Sequence, residues 1–542
     1  MLGRKPRQKQ KTRAPHPSFA VEPLEPRQLL AGNITAQVVS GNLVITGDAL
    51  GNDIKIDQSG LLPDQFRVSS GASATAINGL GAPVVFSGIL GGLLIDLQDG
   101  ADTVKLADCV VPLDVLINGG NGDNTVALDH ATIRGSLTIN GSTGLDTLEL
   151  SHASVTGNVF VQNGDGGSST TIEDASTIGG WLWVINRAGA DNFTIDESNV
   201  GRQAVIDNGD GGSSTLLKES SIGDWLGVRN GTGADGFTMD NASVAGDVLI
   251  SNADGGSSIE IKDVSSIGGF LAAKNAAGAD SFTLKSSSVG GKVAIDNGDG
   301  GSSTTIEDDA SIGGSLAIKN RAGADSFTLE DAGVIGKVAI LNGVGGSSTT
   351  IEDGSSIGGS LQIKNTIGAD NVTLDDVAVS GSVKIDNGDG GSSTTIESTT
   401  SIGNDLRIKT RFGADDVTLQ ALTVGGRTII FTGSEADSIT IDDSTLTGKV
   451  LVKTDFGADT VAIEASGSAV GPVTTFHAEV LVSLGADDDL VTVGIAGEAG
   501  NSAVFNSTVL LDGDLGNDTV SVLANGNSFA VPPATPEMET VL

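Results

Sequence analysis

The chain has 542 residues, and its 78 glycines are roughly twice the usual share of about 7%. Aromatics are 3% with no tyrosine, and 30 Lys and Arg stand against 68 Asp and Glu, a formal net charge of −38. So acidic a chain offers no basic stripe for phosphate, which argues against nucleic acid as a partner. A hydrophobic share of 38% is too high for a disordered acidic tail, and the single Cys109 excludes an intrachain disulfide or a thiolate zinc site.

Residues 1 to 32 form a basic arm. It holds seven of the basic residues (Arg4, Lys5, Arg7, Lys9, Lys11, Arg13, Arg27) and only Glu22 and Glu25. No apolar core of 7 to 15 residues marks a standard signal peptide, and nowhere does an apolar run reach the ~20 residues that cross a bilayer. Within the arm stand Leu24, Glu25, Pro26, Arg27, Gln28, Leu29, Leu30 and Ala31. This segment resembles the LEPR-XLL motif found near the N-terminus of large repetitive proteins of planctomycete bacteria. The resemblance rests on Leu24, Glu25, Pro26, Arg27, Leu29 and Leu30. It implies a sorting or processing signal and an exported, cell-envelope, cell-surface or extracellular destination, and it says little about activity.

Residues 33 to 95 fit no strict period and are expected to form irregular N-terminal coils and a cap. From 96 to 454 a repeat governs the chain. Gly-Ala-Asp places its Asp at 191, 235, 280, 325, 370, 415 and 459, and an Asn-Gly-Asp-Gly-Gly-Ser-Ser block alternates with it. An asparagine marks the shorter true unit: Asn118, Asn140, Asn163, Asn186, Asn208, Asn230, Asn252, Asn275, Asn297, Asn320, Asn342, Asn365 and Asn387, always 22 or 23 apart. Thr410, Thr432 and Thr454 continue the series.

Within a unit, residues such as Ile306, Ile312, Leu316 and Ile318 follow a period of two between glycine corners, which is strand patterning. Three short strands per 22–23-residue coil predict an all-β, single-stranded parallel β-helix, right-handed by the crossover rule. Sixteen intervals at the sheet spacing make a rod of about 77 Å. Asparagines stacked at one bend, each with a donor and an acceptor, predict a structural ladder along the axis. The leucine-rich repeat, with its different Leu and Asn spacing, and the nine-residue calcium β-roll fit less well.

Counting from each Asn finds further columns. Glu307 with Asp308, Glu330 with Asp331, Glu352 with Asp353, and Asp375 with Asp376 fall on adjacent coils. Like charges at about 4.8 Å repel by roughly 0.9 kcal/mol per pair even in water, so either they diverge into solvent or cations sit between them. All-oxygen donors suit Ca²⁺ or Mg²⁺. These eight carboxylates are therefore candidate metal ligands for weak Ca²⁺ binding, although no cofactor is required. The column also holds His130 and His152 between Asp108 and Asp174.

Trp181, Trp225 and Phe270 recur in alternate coils with Trp183 beside the first, and form a candidate ligand-binding row for the sugar rings of a glycan. Residues 455 to 530 are expected to form longer C-terminal coils, because Thr454, Ser483 and Asp512 are 29 apart. Residues 531 to 542, rich in proline, read as a disordered tail. No catalytic residues emerge: coils 118 to 454 lack the inserted loops that would wall a cleft, and no nucleophile triad or nucleotide fingerprint is present. The expectation is a non-catalytic exported β-solenoid acting as a rigid structural or adhesion element, with envelope or extracellular glycans or proteins as partners. The alternative is a carbohydrate-active β-helix that binds or cleaves polysaccharide.

Overall fold

A computed structural model describes residues 31–465, 473–495, 502–523 and 526–541. The motif Leu24 to Leu30 lies outside them. Every regular element among the described residues is a β-strand, and the chain winds into a β-solenoid of about 20 turns with three parallel sheets. One coil shows the plan: Leu182–Ile185 lies in sheet one, Asn192–Asp196 in sheet two and Asn199–Val200 in sheet three. Alternation sends Leu182, Val184, Phe193, Ile195 and Val200 inward, each at most 1% exposed. The next coil lies in register, with Leu182 beside Ala204, Phe193 beside Thr215 and Val200 beside Ile222. One coil has no second layer to bury these side chains against, so each of the ~1.5–3 kcal/mol burials depends on its neighbours.

The interior alternates coil by coil. Thr170, Thr215, Thr304 and Thr349 share a sheet-two column with Phe193, Phe237, Phe282 and Phe327, all buried. Phe193 and Phe327 each lie between two threonines, and Phe237 and Phe282 each between a threonine and Ile259, so no two of these rings are adjacent. This alternation accounts for the sequence period of 44–45 residues being twice the structural one.

Coils of 22 and 23 residues differ at the corner between sheets two and three. Twenty-two-residue coils pass it with one left-handed residue, such as Glu197 (φ 48°) or Asp331 (φ 44°). Twenty-three-residue coils take two in a row, such as Asp308 and Asp309 (φ 55° and 61°) or Ser398 and Thr399 (φ 53° and 67°). The extra residue is absorbed there, and the sheets keep their register.

The ends depart from this plan. At the N-terminus antiparallel pairs, Ala31–Val39 with Asn42–Thr46 and Asp53–Asp57 with Gln65–Ser70, close the stack. Near the C-terminus Lys453 pairs with Ser483 and Ser483 with Asp512, so the first long coil has 30 residues rather than the 29 counted from Thr454. The stacked rings of Phe476, Phe505 and Phe529 fill sheet three there, with centroids 4.7 and 4.8 Å apart. The tail corrects the expectation of disorder. Thr540–Val541 pairs with Thr519 and Val520, the Leu511 amide donates to the Ala534 carbonyl (2.9 Å), and Met538 packs on the core.

Candidate functional site

The asparagine ladder is continuous from Asn163 to Asn387. Each Nδ2 donates to the Oδ1 of the Asn one coil on, at 2.7–3.0 Å, in a column that is at most 5% exposed. Asn387 ends the series by donating to Thr394 Oγ1 at 3.1 Å. Asn118 and Asn140 do not belong to it. They pair with each other (2.9 Å) in the outward column that continues through Gln162, Ile185 and Asp207. The 23-residue step from Asn140 to Asn163 spans a coil of 22, so the asparagine changes column there.

A second buried column lies at the corner between sheets one and two, formed by the Gly-Ala-Asp aspartates and the Ser-Ser serines. Asp191 Oδ1 accepts the Ser168 amide (2.9 Å), Asp235 that of Ser213 (2.9 Å) and Asp280 that of Ser257 (3.0 Å). From Asp415 onward aspartates follow in consecutive coils through Asp437, Asp459, Asp489 and Asp518, linked the same way at 2.7–3.0 Å. Oδ2 of each of these aspartates is buried without a hydrogen-bond partner. Burial pushes Asp191, Asp370, Asp415 and Asp459 up to about 6, and Asp489, also facing the charges of Asp459, Asp518 and Asp487, up to about 7. The motif marked the repeat in the sequence, but its role in joining coils shows only in the structure.

The acidic ridge sits at the corner between sheets two and three. Its second residues, Asp308, Asp331, Asp353 and Asp376, are the left-handed corner residues (φ 44–55°). Asp, Asn and His tolerate that conformation far better than branched residues, which explains a polar column that includes His130 and His152. Those two rings stack at 4.4 Å and interplanar 8°. Lys285 bridges Glu307 (3.0 Å) and Asp308 (2.7 Å), supplying a cation from the protein itself. Glu352 is raised by burial and by Asp353, Glu330 and Asp375.

Among the described residues, only two groups bring three carboxylate oxygens within 4.8 Å of one another, and neither is among the eight ridge candidates: Asp442 with Asp443 and Glu464, and Asp512 with Asp514 and Glu537. In the first, Glu464 is 0% exposed; Oε1 accepts the amides of Asp443 (3.1 Å) and Thr474, and Oε2 has no hydrogen-bond partner. Burial pushes Glu464 up to about 7. A spacing of 4.8 Å suits one ion with oxygens at 2.3–2.6 Å.

The aromatics lie at sheet one. Trp183 is outward and 42% exposed, with Phe160 at 5.8 Å and Trp181 at 6.2 Å edge to face. Trp181, Trp225 and Phe270 are half-buried at the corner leading into the sheet, not an open row. The Trp225 ring reaches over Gly227, where a Cβ would stand 2.7 Å from it. Beside these rings runs a trough of about 920 Å³ whose floor includes Val205, Gly227, Ala272, Ala294, Ala317 and Ala339.

One edge of the trough corrects the expectation that the chain has no basic stripe. Arg229, Lys274, Lys319, Lys364 and Lys409 occupy one outward column in alternate coils. Between Arg229 and Lys453, every Lys and Arg except Lys262 and Lys285 falls on sheet one or the corners that border it.

No protein-family model, curated protein or solved structure matches the chain, so its function is argued from geometry.

Proposed function

We propose that the chain is a non-catalytic, exported rod of the cell envelope or extracellular space, serving as a rigid structural and adhesion element. The observation that carries this reading is the uninterrupted stacking from Leu93 to Lys453: adjacent strands stay in register, and length differences between coils are absorbed as left-handed corner residues. Load along the axis is shared by three backbone ladders, the Asn chain and the Asp–Ser column. Fractionation of native cells, with antibody detection, tests the location: signal in the envelope or medium is expected, and signal confined to the cytosol overturns export.

The alternative of a carbohydrate-active β-helix draws support from the trough, and the same geometry favours binding over cleavage. The two carboxylates lining it, Asp207 and Asp296, are four coils apart in one column, about 19 Å. Glycoside hydrolysis wants its carboxylates about 5–9.5 Å apart.

Weak divalent cation binding belongs to the same proposal, with its place moved. The group Asp442, Asp443 and Glu464 suits Ca²⁺ better than the ridge, because its oxygens converge and the unpartnered Oε2 of Glu464 is sealed from water.

A further inference from the structure

We propose that the sheet-one trough binds an extended, sparsely charged anionic polysaccharide lying along the rod axis. This inference rests on the adhesion reading above and names the ligand class for it.

Three observations converge on that chemistry. From Ala272 through Ala294 and Ala317 to Ala339 the floor is smooth and apolar because small side chains occupy successive outward positions, and the exposed Leu249 stands between this strip and Gly227. Such a strip accepts the C–H faces of sugar rings. Rings flank it: Trp183 is exposed at one end, and Trp225 leans over Gly227. The cations along its edge recur every second coil, at about 9.6 Å. Among the described residues, Lys274 and Lys364 make no ion pair within 4.0 Å and remain available to a ligand, while Arg229 and Lys319 pair only at long range, with Asp207 (3.9 Å) and Asp296 (3.7 Å).

The spacing selects among polyanions. Phosphates of a nucleic acid recur every 3.4 Å along a strand, so most would face no cation and some would face Asp207 or Asp296. A polymer with a carboxylate on every second ring, its charges recurring near the ~9.6 Å of the cations, places anions at the lysines and neutral rings on the alanines. The net charge of −38 does not forbid this. Solvent-exposed acids farther from the trough than the ~8 Å screening length are screened at physiological salt, whereas Asp207 and Asp296 line it and call for neutral stretches of ligand beside them.

The test is binding of the full chain to hyaluronate, which carries a carboxylate on every second sugar, with polygalacturonate (one on every sugar), dextran and single-stranded oligothymidylate as comparison probes. Retention by hyaluronate is expected to weaken at least tenfold between 50 and 500 mM NaCl, with no retention by dextran and weaker binding of polygalacturonate and of the oligonucleotide. The triple variant Lys274→Glu, Lys319→Glu, Lys364→Glu should lose at least tenfold in affinity; the sheet-two pair Lys262→Glu, Lys285→Glu should lose less than twofold. Ala294→Leu, which fills the floor without changing charge, should also weaken binding. All of these variants are checked for unchanged circular dichroism. Salt-independent retention, tighter binding of the oligonucleotide, or an unaffected triple variant overturns the inference. An envelope-located rod that ignores hyaluronate sinks this inference alone, and a cytosolic chain that binds it sinks export alone.

Discussion

Removing two asparagines from the ladder should cost different amounts depending on whether they are neighbours. Asn297 accepts from Asn275 (3.0 Å) and donates to Asn320 (2.8 Å), and Asn320 donates to Asn342 (2.8 Å). In Asn297→Ala with Asn320→Ala, the orphaned groups are the Asn275 amide and the Asn342 carbonyl. In Asn252→Ala with Asn320→Ala, the same number of side chains is lost but four groups are stranded, on Asn230, Asn275, Asn297 and Asn342. Cavity terms match to first order, so the difference isolates two buried unsatisfied groups at about 1–3 kcal/mol each. The separated pair should therefore be about 2–6 kcal/mol less stable than the adjacent pair. Guanidinium unfolding followed by circular dichroism, with hydrogen exchange to localise the opening in an array whose coils can unfold separately, reads it out. Equal costs for the two variants would refute the ladder as a chain of coupled hydrogen bonds.

The buried aspartates set a pH dependence. Asp102, Asp191, Asp370, Asp415 and Asp459 titrate at about 6 and Asp489 at about 7 in the folded chain, above the ordinary aspartate value. The folded state thus holds protons that the unfolded state has released; the stabilisation is complete below about pH 4 and is lost as pH rises through 6 to 7. This term predicts a higher melting temperature at pH 5 than at pH 8, and a smaller difference in Asp415→Asn with Asp459→Asn; a lower melting temperature at pH 5 contradicts it. Millimolar Ca²⁺ should raise the melting temperature at pH 7, and Glu464→Gln should abolish the rise; identical melting in excess EDTA and in Ca²⁺ removes the site. Gly298→Ala would drive its Cβ into the carbonyl of Ala276 in the coil below, and should destabilise by roughly 3 kcal/mol or more in denaturant titrations.

Period and alternation made the solenoid legible from the amino acids, because an inward Ile or Leu every second residue and a 22–23 spacing have few other solutions. Register was not legible. Both 22 and 23 occur as coil lengths, so the shift that separates Asn118 and Asn140 from the later asparagines looked like one more coil. The ridge read as chemistry, whereas the left-handed backbone at Asp308, Asp331, Asp353 and Asp376 supplies a conformational reason for much of its composition. The Asp–Ser column stayed hidden because aspartate is ordinarily a surface residue, and its burial depends on amides donated from the neighbouring coil. Net charge concealed the lysine row, since summing over the chain discards position; only the strand register gathers Arg229, Lys274, Lys319 and Lys364 on one face.

The alternation of bulky and small layers has a consequence for how such a chain finds its place and how it can change length. Sliding the growing stack by one layer sets Phe193 against Phe237 or Phe282 against Phe327, whereas sliding by two sets each ring against isoleucine or threonine again. Mispairing by a single turn is therefore disfavoured. Genetic exchange between repeats has the same grammar: excising or duplicating 44–45 residues leaves a seamless joint, and half that length leaves a fault. The rod can be lengthened or shortened across generations in steps of about 9.6 Å, the same step at which its lysines recur.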